Sequence, residues 1–113
     1  MADKSYNVES FKGTITIPLS NTVVTGTQTI GQVNGVTKTI FFTTPDMQDT
    51  DSTAMTIVNS SDATFFNSGT KAESTTSIIG SEVGIVPGDK IVMTAEGTQS
   101  AAKAVAFDIR LTT

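Results

Sequence analysis

The side chains best suited to chemistry sit close together in one polar stretch, Thr44-Pro45-Asp46-Met47-Gln48-Asp49-Thr50-Asp51, with Asp62 the next acid along the chain. Several hard oxygens on one loop are what calcium takes, so Asp46, Asp49 and Asp51 form a calcium candidate. The spacing lacks the sixth-position glycine and closing glutamate of an EF-hand loop, and the expectation is a solvated, turn-forming acidic loop. Other reactive groups are missing. The chain has no histidine and no cysteine, which removes the usual general base, the commonest metal ligand and any thiolate nucleophile. Neither a phosphate-cradling glycine loop nor a Gly-x-Ser-x-Gly nucleophile turn occurs. A glycosidase-type carboxylate pair would want aromatic platforms for the sugar, yet there is no Trp, and the single tyrosine, Tyr6, lies in the polar N-terminal lead. The expectation is a protein without catalytic residues or a cofactor, and not an enzyme.

The elements that carry these residues read as strands. The 113 residues make one domain by size, large enough to bury a core without metal or disulfide. Threonine is abundant, 21 residues beside 11 serines. Its β-branched side chain suits a pleated, half-wet surface, and no helical apolar period competes. A net charge of −4, with the seven basic residues scattered singly, argues against nucleic-acid binding. No stretch approaches the ~20 apolar residues of a membrane helix, and the N-terminus has no secretory h-region. Met1 at the start and a strand running almost to Thr113 suggest a complete small protein rather than an excised module.

Residues 1–10 read as a polar arm, and 11–113 as a single β-sandwich domain. Phe11–Ile17 alternates, with Phe11, Ile15 and Ile17 on one face, and Pro18 ends the strand. Strands are expected at Thr22–Thr25 and Thr27–Val33, followed by a type I′ hairpin at Asn34-Gly35 into Val36–Thr43. Further strands cover Thr53–Val58, Ala63–Phe66, Ser74–Ile79 and Lys90–Thr94. Asn59–Asp62 and a type II turn at Pro87-Gly88 punctuate them. Lys103–Leu111 is the clearest strand of all: Val105, Phe107, Ile109 and Leu111 point one way, and Ala104, Ala106, Asp108 and Arg110 point the other. It is expected to close the fold with a solvated outer face. About eight antiparallel strands with turns every 8–12 residues give a β-sandwich, jelly-roll-like or, alternatively, immunoglobulin-like.

Five apolar doublets break the alternation: Val23-Val24, Phe41-Phe42, Phe65-Phe66, Ile78-Ile79 and Ile91-Val92. Neighbours in a strand face opposite ways, so one member of each should point outward unless a bulge turns both inward. Outward apolar residues mark contact surfaces, which makes Phe41, Phe42, Phe65 and Phe66 the interface candidates, with Tyr6 on the arm.

Three segments carry a resemblance: Thr39-Ile40-Phe41-Phe42-Thr43-Thr44-Pro45-Asp46, Asp62-Ala63-Thr64-Phe65-Phe66-Asn67-Ser68-Gly69 and Val86-Pro87-Gly88-Asp89-Lys90-Ile91. They resemble small β-sandwich capsid decoration proteins (cement or staple proteins) of tailed bacteriophages. The resemblance implies a non-enzymatic virion protein on the outer capsid surface, made in the host cytoplasm without a signal peptide. Its implied partner is the major capsid protein, whose subunits it bridges, and it implies a homo-oligomer, a dimer or trimer. A recognition or adhesion module, or a tail component, is the alternative.

Overall fold

The computed structural model describes residues 8–112, in which nine strands and one short 3-10 turn follow one another. The strands are β1 (Val8–Ile17), β2 (Thr25–Thr29), β3 (Gly35–Thr44), β4 (Thr53–Val58), β5 (Thr64–Asn67), β6 (Thr75–Gly80), β7 (Gly84–Ile85), β8 (Lys90–Ala95) and β9 (Lys103–Thr112). All pairings are antiparallel. One sheet runs β1-β9-β3-β6, with the two-residue β7 also on β3, and the other runs β2-β8-β4-β5.

The wiring follows from one idea. With β7 set aside, β1 pairs β9, β2 pairs β8, β3 pairs β6 and β4 pairs β5, so the chain is a long hairpin doubled back at the β4–β5 turn. Rolling that hairpin up adds the β3–β9 and β4–β8 ladders and splits it into two facing sheets. This is the jelly-roll arrangement, and it closes out the immunoglobulin-like alternative. The long-range pairing places β9 inside its sheet, between β1 and β3.

Period-two burial holds the layers together. In β9, Val105, Phe107, Ile109 and Leu111 are buried, and in β4 and β8 Met55, Ile57, Ile91 and Met93 are fully buried from the other side. Ile15, Ile17, Ile40 and Phe42 complete the first wall. Each such aliphatic side chain contributes about 1.5–3 kcal/mol on burial. Buried hydroxyls are paired: the Thr44 and Thr53 hydroxyls are 2.7 Å apart and tie the end of β3 to the start of β4 across the sandwich. Thr37 donates its hydroxyl proton to the Ser81 carbonyl and accepts from the Val83 amide at 2.9 Å.

Several expectations change. β1 begins at Val8, ahead of the expected Phe11, so the polar arm gives up Val8–Ser10 to the sheet; residues 1–7, with Tyr6, lie outside the described residues. Thr22–Val24 is a loop, and β2 is a single short strand. The Asn34-Gly35 hairpin does not form, because β2 pairs β8 and β3 pairs β9, β6 and β7 in the opposite sheet. Gly35 is instead the first residue of β3, where a Cβ would stand 2.4 Å from the Thr112 carbonyl oxygen and 2.7 Å from a Leu111 methyl. The glycine is there for close packing, not for a turn. Pro87-Gly88 does turn the chain: Gly88 has φ of 100°, the Asp89 amide donates to the Val86 carbonyl at 3.2 Å, and the buried Asp89 carboxylate accepts the Val86 amide at 2.9 Å.

Candidate functional site

Outward residues of β3, β6 and β9 build the most distinctive surface. Regular antiparallel register sets Phe41 opposite Ile78 on one side and Asp108 on the other, and Asp108 opposite Lys12 of β1. The row Ile78–Phe41–Asp108–Lys12 therefore crosses the outer face of the sheet. Ile78 is 67% exposed, more than any other large apolar side chain among the described residues. Val36, on the same strand as Phe41, is also exposed, as is Val86 beyond β7.

Arg110 lies over this row. Its guanidinium carbon is 4.9 Å from the Phe41 ring centroid, a cation–π contact that half covers the ring. The Arg110 Nε also sits 3.5 Å from Asp108 Oδ2. Asp108 is more enclosed than its place on an outer face suggests: its Oδ1 is buried without a hydrogen-bond partner among the described residues. The expectation of a solvated Asp108 is thus corrected, because Phe41 and Arg110 crowd it. A threonine pair, Thr43 and Thr76 with hydroxyls 2.9 Å apart, and the ion pair of Lys38 with Glu82 at 3.0 Å flank the row.

The Phe candidates divide. Phe42 is buried in the core, and Phe66 is 8% exposed. Phe65 is half-buried and packs against the same core, because the β4–β5 register shifts between Ile57 and Val58 and leaves Phe65 as the extra residue of a bulge. Of the four, Phe41 alone lies on an outer sheet face in regular register. Ile78 belongs to a doublet but was not singled out as an interface residue from the sequence; the signal was the uncharged run Thr75–Gly80 around it.

The acidic loop is a different kind of structure. Among the described residues no three His, Cys, Asp or Glu side chains gather where they could hold a metal ion together, Asp46, Asp49 and Asp51 included. Asp46 and Asp49 are exposed, while Asp51 accepts a hydrogen bond from Gln99 Nε2 at 2.8 Å. Gln99 is buried, its Nε2 also donates to the Gly97 carbonyl at 2.9 Å, and its Oε1 accepts the Gln48 amide at 2.8 Å. Gln48 answers by accepting the Ser100 amide, and Glu73 accepts the Met47 amide at 2.8 Å. The carboxylates and amides bind loop to loop at one end of the sandwich. These hydrogen bonds hold the loops to one another.

No protein-family model matches the chain, and no curated protein matches it. Among solved structures it is similar to the crystal structure of a Yersinia pseudotuberculosis-derived mitogen, at 12% identity and a TM-score of 0.42, over 95% of this chain and 87% of that chain.

Proposed function

We propose that the protein is a non-enzymatic virion structural protein: a decoration protein that binds the outer capsid surface of a tailed bacteriophage and bridges major capsid subunits. The observation that supports this reading is the row Ile78–Phe41, which sets apolar side chains on the outer face of the β1-β9-β3-β6 sheet of a jelly roll. The three segments that resemble decoration proteins fall on β3 and its following loop, on β5 and on the β7–β8 turn, within one framework. Its mechanism is mass action. A protein that binds the assembled shell and not free subunits stabilises the shell in proportion to occupancy, and many copies that each clamp two subunits add through multivalency. Chemistry at a reactive side chain plays no part in it.

Co-sedimentation with purified capsids that lack the protein tests the reading. Saturable occupancy, together with a raised melting temperature of the decorated shell, is expected. No occupancy at any shell concentration overturns it.

A further inference from the structure

The β6 edge is built to pair with another strand, and we propose that it pairs with β6 of a second copy of this chain, antiparallel about a two-fold axis at Ile78. Among the described residues β6 pairs with β3 alone and forms one edge of its sheet. The direction of its free hydrogen bonds can be read from one contact. The Ser81 amide donates to the Lys38 carbonyl, in register with the β3–β6 ladder, which makes that position a hydrogen-bonded pair. Such pairs alternate, so Ser77 and Ile79 spend their backbone groups on β3 while Thr76, Ile78 and Gly80 present theirs to the open edge.

The four sheet edges differ in their defences. β1 carries Glu9 and Lys12. β2 is five residues long with no large apolar side chain, and β5 is a four-residue strand with a bulge. β6, Thr75-Thr76-Ser77-Ile78-Ile79-Gly80, has six residues with no charge, no proline and the most exposed large apolar side chain described. Natural edges are normally blunted by devices such as charge or proline, and this one carries neither.

A second copy is the occupant that fits. The chain carries net charge −4, which disfavours self-association through its charged surface, and β6 is the longest of the uncharged edges. The segment is also self-complementary. Setting Ile78 opposite Ile78 places Thr76 opposite Gly80 of the second copy, so all the open backbone groups meet in register, as an isologous contact requires. The same register joins Phe41 and Ile78 of both copies into one apolar band on the outer face. A contact of two six-residue strands is smaller than the ~1,200 Å² low end for stable complexes, so the dimer is weak in solution and filled when copies are concentrated on a surface. The pairing gives a geometry to the homo-oligomer that the resemblance implies and does not depend on what the protein binds.

Two measurements on the free protein test it, with no capsid present. Sedimentation of the wild type between ~10 µM and ~1 mM should show a monomer–dimer equilibrium, and Ile78→Lys should raise the dissociation constant by about tenfold or more with an unchanged melting curve. The chain has no cysteine, so Ile78→Cys adds a single thiol on the two-fold. Opposed residues of a hydrogen-bonded pair have Cα atoms about 5.5 Å apart, within disulfide reach. In a glutathione redox buffer it should cross-link at least about tenfold faster than Thr27→Cys, on the outer face of the β2 edge. A wild type that stays monomeric throughout, an Ile78→Lys variant that dimerises normally, or equal cross-linking of the two cysteine variants each overturns the proposal. Shell binding by a strictly monomeric protein would overturn the pairing and leave the decoration reading intact.

Discussion

Phe41-Phe42 and Phe65-Phe66 are the same dipeptide in two strands, and the strands use it differently. In β3 the ladders to β6 and β9 run regularly past this point, so Phe42 enters the core and Phe41 stays outside under Arg110. In β5 the register slips by one residue against β4, and both rings turn toward the core. In these two strands the doublet marks an outward residue only where the ladder is unbroken. The outer faces of the two sheets differ accordingly. One carries the row Ile78–Phe41–Asp108–Lys12, while the other sets Val92 between Thr27 and Thr56. That threonine face offers no comparable anchor.

Phe42→Ala should give the largest effect. The ring is buried on an interior strand, so the variant loses its transfer energy and leaves a cavity, at a cost of about 3–5 kcal/mol read from urea unfolding. A loss near that at Phe41 would reverse the assignment of the two rings. Phe65→Ser comes next, at about 1–2 kcal/mol, because a half-buried ring forfeits roughly half the burial of a full one. This variant tests the bulge directly. If its stability is unchanged and shell binding falls instead, the ring points outward and the two doublets behave alike.

Where local chemistry decides, the sequence was legible. Strict alternation gave Lys103–Leu111, and Pro87-Gly88 carried its turn geometry in its own residue types. Asn34-Gly35 misled for a physical reason: the dipeptide suits a hairpin, but rolling the sheet sends β2 and β3 to opposite layers, and a glycine is needed beside Leu111 and Thr112. The bulge at Phe65 depends on register with β4, a long-range property that no local pattern encodes. The acidic loop was legible as a loop. Its Asp51 was spoken for by Gln99, 48 residues away, whose burial no local signal announces. The candidate surface was half legible. Phe41 stood out as an aromatic doublet, but its neighbours Ile78, Asp108 and Arg110 come from strands far along the chain.

Phe41→Ser should have the smallest effect on folding and the sharpest effect on contact. The ring loses one exposed cation–π partner, worth about 0.5–1 kcal/mol, and little core packing, so the unfolding midpoint should scarcely move. Its removal strips the centre of the outer apolar row, where a single aromatic anchor commonly accounts for ~2 kcal/mol or more of binding. Shell occupancy should then fall about tenfold or more. Self-pairing through the backbone of β6 should persist, since Phe41 lies one strand in from that edge. Normal shell occupancy in Phe41→Ser would move the capsid contact off this face. Equal loss of occupancy and dimerisation would mean that the band, and not the strand edge, holds two copies together.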